Sequence, residues 1–167
     1  MSKTDENLQA AFAGESQANR KYLAFAQAAD QEGLKQIARL FRAAAEAETV
    51  HAHNHLRAMG GIGKTADNLH AAIKGETYEF TDMYPAFIAQ AEKDKNGKAG
   101  QSFRYANRVE QIHAGLYQKA AEAAKKGKDL PAAAIWVCPV CGNTVEGEPT
   151  ASCPICGTGR EKFKRID

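Results

Sequence analysis

No stretch of this chain is apolar for the roughly 18–20 residues that crossing a bilayer requires. Neither charge sign dominates: 22 Lys and Arg against 20 Asp and Glu leave a net charge of +2, which predicts no nucleic-acid partner and no membrane partner. An apolar signal-peptide core is missing too, since Met1-Ser2-Lys3-Thr4-Asp5 leads straight into a polar helix, and a cytoplasmic location is expected. Cysteine is absent before Cys138, and all four cysteines lie between Cys138 and Cys156. They form a local device and exclude a disulfide framework for the whole chain.

What the chain does have is a repeated motif. Glu48-Thr49-Val50-His51 returns as Glu110-Gln111-Ile112-His113. Residues three apart on an α-helix project from nearly one face, so each Glu/His pair can reach one metal ion. One such pair is readily a solvated helix face; two, each in an Ala-rich helical run, are not. The stripes Ile37, Phe41, Ala44, Glu48, His51, His55, Met59 and Phe103, Ala106, Glu110, His113, Tyr117, Ala120, Ala124 keep helical spacing and set acid and imidazole in otherwise apolar faces. An unpaired carboxylate in such a face is costly, so a cation is expected close by.

Four long helices are predicted. The first starts near Thr4, with Asp5 and Glu6 at the positive end of its dipole, and stops at Gly33. Glu15 interrupts its inward stripe, with Asn19 and Tyr22 beside it. The second spans Leu34 to Met59. Residues 62–75 read as a crossover containing a short capped helix, a length suited to carrying the chain along a bundle. The third begins near Glu76, carries Glu79 one turn on, and is expected to kink at Pro85. The fourth runs from Gln101 to Lys126, and Lys125 to Pro131 reads as a linker between a helical domain, 1–130, and a small domain, 131–167.

One Glu from each of two helices, Glu15 and Glu76, with a Glu-x-x-His from each of the other two, is the di-iron carboxylate arrangement of ferritin-like bundles. Oxygen-rich ligation with imidazole suits iron or manganese better than structural zinc. Glu79 exceeds the minimal set and is either a salt-bridge acid or an alternative ligand exchanging with His51. His53 and His55 are expected outside the ligand set. In the tail, Cys138-Pro139-Val140-Cys141-Gly142 and Cys153-Pro154-Ile155-Cys156-Gly157 are two C-P-x-C-G knuckles, a four-thiolate metal site that iron or zinc could fill. Proline fixes each turn, and the glycine permits a positive φ that turns backbone N–H groups toward sulfur. So short a segment cannot bury a core of its own, and the metal must hold it together.

The run Ala11-Phe12-Ala13-Gly14-Glu15-Ser16-Gln17-Ala18, the stretch Gly75-Glu76-Thr77-Tyr78-Glu79-Phe80-Thr81-Asp82-Met83-Tyr84-Pro85, both E-x-x-H pairs and both knuckles together resemble the rubrerythrin family. The resemblance implies an all-α ferritin-like four-helix bundle with a crossover connection, followed by a rubredoxin-like β/loop domain. It implies a di-iron centre on Glu15, Glu48, His51, Glu76, Glu79, Glu110 and His113, with Glu48 and Glu110 bridging, and one iron on Cys138, Cys141, Cys153 and Cys156. Tyr22 and Tyr84 match tyrosines that donate hydrogen bonds near the family's di-iron centre.

The implied activity is peroxidase: hydrogen peroxide is reduced to water, with electrons entering through the Fe(Cys)4 centre from a rubredoxin or an NAD(P)H-dependent reductase. The rival readings are a ferroxidase or iron-handling protein of ferritin type and a zinc-loaded structural or binding module. A departure from the family pattern, Lys93-Asp94-Lys95-Asn96-Gly97-Lys98-Ala99-Gly100, bears on the third-to-fourth helix connection and not on the ligands. A tail tethered at the far end of the fourth helix starts far from mid-helix ligands. This favours a homodimer, or a higher homo-oligomer, in which a partner's knuckles serve this chain's site.

Overall fold

The structure is a computed structural model that describes Ser2–Ile166. It contains helices α1 (Lys3–Gln31), α2 (Lys35–Ala58), α3 (Thr65–Tyr78), α4 (Tyr84–Lys93) and α5 (Gly97–Lys125), and strands β1 (Ile135–Val137), β2 (Thr144–Glu146) and β3 (Lys164–Ile166). The chain divides into two compact units at Gly63/Lys64.

The first unit is the α1–α2 hairpin. Ser2, and not Thr4, caps α1: its hydroxyl accepts from the Asp5 amide at 3.2 Å while its own amide donates to the Asp5 carboxylate at 2.8 Å. This reciprocal pair satisfies two donors that a helix start otherwise leaves unmatched. Gly33, at φ +79°, makes the turn into α2. The seam between the helices is alanine: Ala26 and Ala29 from α1, Ala38, Ala45 and Ala52 from α2 are all buried. Methyl side chains let the backbones approach closely enough for Asn19 Nδ2 to reach the Ala45 carbonyl at 2.7 Å and Thr49 Oγ1 at 2.8 Å. The expected inward stripe of α2 is therefore turned partly outward, and Ile37 and His51 are exposed. Heptad reading favours the larger residues, but the close approach selects the alanines.

The second unit holds everything from α3 onward. The expected crossover is shorter than residues 62–75, because α3 begins at Thr65 and runs on without a break through Gly75 and Glu76. A π-helical turn, Glu79–Met83, then joins α3 to α4. It takes the place of the kink expected at Pro85, which sits in the first turn of α4, where its missing N–H costs least. Lys95, at φ 55°, closes the turn, Asn96 caps α5 by accepting from the Ala99 amide at 3.1 Å, and the helix starts at Gly97, before Gln101.

Beyond α5 the small sheet has the order β2-β1-β3, both pairs antiparallel, with Trp136 opposite Val145 and Arg165. Its core is Cys138, Cys153 and Phe163, flanked by Trp136, Val145 and Ile155.

The alanine seam has a measurable consequence. Ala45→Leu puts a larger side chain where the hairpin is closest and where the Ala45 carbonyl receives Asn19. We expect about 1–3 kcal/mol of destabilisation in denaturant unfolding, against little effect from Leu40→Ala on the exposed face.

Candidate metal centres

Each E-x-x-H pair lies where the sequence places it, but the ligands gather as two sets. In the first unit, Glu15, Glu48 and His51 bring one ligand atom each within 4.8 Å of one another. In the second, Glu76, Glu110 and His113 do the same. Within each helix the pair closes on itself: His51 Nδ1 lies 2.9 Å from Glu48 and His113 Nδ1 2.7 Å from Glu110. Each set therefore offers two carboxylates and an imidazole nitrogen around one point, a donor set that fits iron or manganese.

Electrostatics in the second set favour a cation. Burial raises the pKa of Glu76, and the neighbouring Glu110 charge raises it further, while His113 opposes the shift. Glu79 is raised in the same way, by burial and then by Glu76, and His113 again opposes it. Burial, followed by the charges of Glu79, Glu110 and Glu76, raises Tyr84, which keeps its phenol protonated and able to donate. A divalent ion would relieve all three at once.

Aromatic rings back each set. Tyr22, Phe25 and Phe41 cluster at centroid distances of 5.6–6.3 Å, and Tyr84, Phe87 and Phe103 at 5.5–6.3 Å. Phe25, Phe41, Phe87 and Phe103 were not singled out as site residues by motif. A signal was available, because Phe41 precedes Glu48 by the same spacing as Phe103 precedes Glu110.

The four cysteines converge as expected. Cys138 Sγ lies 3.6 Å from Cys156 Sγ, and Cys141 Sγ 3.5 Å from Cys153 Sγ. Disulfides would need ~2.05 Å, whereas a tetrahedron with ~2.3 Å metal–sulfur bonds has edges of about 3.7 Å. Gly142 and Gly157 do take positive φ, +83° and +78°, and their amides close the knuckles onto the Cys138 and Cys153 carbonyls at 2.9 Å. Burial pushes the Cys141 thiol up, and the three neighbouring sulfurs add to the shift. Burial also opposes ionisation of Cys156, yet the Thr158 hydroxyl and amide bring it down to about 6. The buried Asn143 points Nδ2 at Cys153 Sγ, 3.7 Å away.

The expectation that this module stays remote from its own chain's ligands does not hold for the α5 set. Thr144 Oγ1 lies 2.9 Å from His113 Nε2, Arg108 donates to the Pro154 carbonyl at 3.3 Å, and Lys119 pairs with Glu146. Gly127, at φ +64°, reverses the chain. An extended segment then covers about 3.3 Å per residue against ~1.5 Å in a helix, so a short linker retraces many helical residues.

Comparison with known proteins identifies the family. The family described as rubrerythrin matches residues 6–121, and the rubrerythrin rubredoxin-like domain matches residues 136–164. The chain belongs to the rubrerythrin family. It is 37% identical to Rubrerythrin-2 of Clostridium acetobutylicum, covering 96% of this chain and 95% of that one. It is 39% identical to nigerythrin of Nitratidesulfovibrio vulgaris, covering 96% of this chain and 85% of that one. Among solved structures, fully reduced, all-ferrous nigerythrin matches with a TM-score of 0.57 at 37% identity, covering 99% of this chain and 88% of that chain. The fold class is accordingly ferritin-like helical with a rubredoxin-like appendage, and the cofactors are the rubrerythrin pair, a di-iron centre and one iron on four cysteines. Among the described residues no helix is long and apolar enough to cross a membrane.

Trp136, the single tryptophan, packs on the Cys138–Cys153–Phe163 core and so reports on it alone. Stripping the metal from the cysteine site should unfold this module while the helices persist. The expected outcome is a Trp136 emission shifted to that of exposed indole, with unchanged far-UV helical dichroism. A native-like Trp136 spectrum in the metal-free protein would contradict it.

Proposed function

We propose that this rubrerythrin-family chain is a peroxide reductase acting in protection against oxidative stress. The observation that carries the reading is the hydrogen bond between His113 and Thr144, which sets a four-thiolate module directly against a carboxylate–imidazole ligand set. A storage protein has no use for a one-electron site so close to its oxidisable centre. The balanced reaction takes hydrogen peroxide, two electrons and two protons to two molecules of water. The iron centres supply the redox chemistry when bound: two electrons at the di-iron site, delivered one at a time through Fe(Cys)4.

The two sets, Glu15–Glu48–His51 and Glu76–Glu110–His113, would hold the iron in this reading, Glu48 and Glu110 each offering a carboxylate beside an imidazole. Glu79 would serve as an additional ligand beside the second set, a role supported by its electrostatic neighbours Glu76 and His113. Tyr84 stays neutral under the surrounding carboxylates and so keeps a hydroxyl hydrogen to donate. Tyr22 has the matching role beside Phe25 and Phe41. Residues 1–130 and 131–167 are the functional domains. Electrons come from a rubredoxin or an NAD(P)H-linked reductase in the cytoplasm. Assembly into a homodimer or higher homo-oligomer is supported by the exposed apolar side chains of Ile37 and Leu40.

Rapid mixing of the fully reduced, iron-loaded protein with peroxide tests the reading. The di-iron absorption should return to its oxidised form within a second. With its helical ligands kept saturated with iron, Cys138→Ser should keep this reaction yet lose steady-state turnover by about tenfold or more, at least ~1.4 kcal/mol of barrier. A site that stays ferrous for many seconds, or that builds ferric mineral over many turnovers, would overturn it.

A further inference from the structure

His113 has two ring nitrogens, and its neighbours treat them differently. Nδ1 lies 2.7 Å from Glu110 Oε2 and 4.0 Å from Glu76 Oε2. Nε2 faces Thr144 Oγ1 at 2.9 Å. The same hydroxyl donates to the Gly142 carbonyl at 3.1 Å. A hydroxyl has one hydrogen, and a carbonyl can only accept. When a metal takes the Nδ1 lone pair, the ring's hydrogen sits on Nε2, and Thr144, with its own hydrogen on the Gly142 carbonyl, is placed to accept it.

From this we infer that Thr144 is a positioning residue for the ligand set on α5: its hydroxyl locks His113 in the Nε2–H tautomer and presents the Nδ1 lone pair to the metal. The inference rests on the reading of His113 as a ligand.

The lock is anchored in the cysteine module. The Gly142 carbonyl belongs to the first knuckle, whose turn is held by the Gly142 amide on the Cys138 carbonyl at 2.9 Å and by the positive φ of Gly142. Metal on Cys138 and Cys141 fixes that turn, the turn fixes the carbonyl, and the carbonyl orients Thr144. Filling the cysteine site therefore strengthens metal binding at the Glu76–Glu110–His113 set, and by linkage the converse holds.

Thr144→Val removes the hydroxyl with little change of shape, and Thr144→Ser restores it. The test uses the full chain with the cysteine site loaded with iron, and titrates ferrous iron into the helical ligands without oxygen. Removing a hydrogen-bond partner of a ligating histidine lowers metal affinity by about 10–100-fold. We expect a loss in this range for Thr144→Val, near-wild-type affinity for Thr144→Ser, and an unchanged cysteine-site spectrum in both.

Proton NMR of the protein with zinc, a diamagnetic ion, in both sites should show a slowly exchanging Nε2–H at His113 in the wild type and faster exchange in Thr144→Val. Wild-type affinity and wild-type Nε2–H exchange in Thr144→Val would overturn the inference while leaving His113 a ligand. His113→Ala with unaltered iron affinity would instead remove the ligand reading itself, and the inference with it.

Discussion

Carboxylates held within reach of one another, half out of water, are the constraint on which the rest of this molecule depends. Burial and then the Glu110 charge raise the cost of ionising Glu76, and Glu79 and Tyr84 feel the same field. Nothing in the helices relieves this except the single imidazole of His113. Such a cluster is tolerable only because metal binding is coupled to its formation: the ions contribute at the site what packing cannot. The alanine seam of the first hairpin fits the same logic. Close backbones leave little room for large side chains, so stability there rests on small buried methyls and the Asn19 hydrogen bonds, and the ligand face stays open for metal.

The same dependence governs the tail more completely. Its buried side chains are two cysteines, Asn143 and Phe163, and two of those four are ligands. With three short strands there is no apolar core to survive metal loss. Burial makes Cys141 hold its proton harder, while the Thr158 hydroxyl and amide let Cys156 release its own near pH 6, and the neighbouring sulfurs add to each shift. The tail's docking on α5 thus depends indirectly on its metal, since Gly142, Thr144 and Glu146 all lie within or beside the knuckles.

Much of this was legible in the sequence because the chemistry is local. An E-x-x-H pair needs only helical geometry to meet, and a C-P-x-C-G knuckle carries its own turn; both closed as their spacing implied. Gly33 ends α1 for a local reason too. What was not legible depends on tertiary distance. Periodicity could not say that Ala38, Ala45 and Ala52, and not Ile37, would fill the hairpin seam, since both stripes keep helical spacing. Nor could it say that the chain after Gly127 would double back, or that Thr144, unremarkable two residues past a knuckle, would meet His113.

The two ligand sets are near repeats, and their difference is instructive. Phe41, Glu48 and His51 have the same spacing as Phe103, Glu110 and His113. Along the other helices the match slips by one residue: Tyr22 follows Glu15 by seven positions and Tyr84 follows Glu76 by eight. At 3.6 residues per turn, seven positions nearly complete two turns, whereas eight overshoot by about 80° and would swing Tyr84 off the face of Glu76. The wider π-helical turn Glu79–Met83 absorbs the extra residue. Tyr84 consequently lies within the field of Glu76, Glu79 and Glu110 and stacks with Phe87 and Phe103, as Tyr22 stacks with Phe25 and Phe41. The insertion thus keeps the tyrosine in register while placing Glu79 in the field of Glu76 and His113. A π turn inside an α-helix is a local cost that functional sites often retain, and here it makes two otherwise equivalent ligand sets unequal.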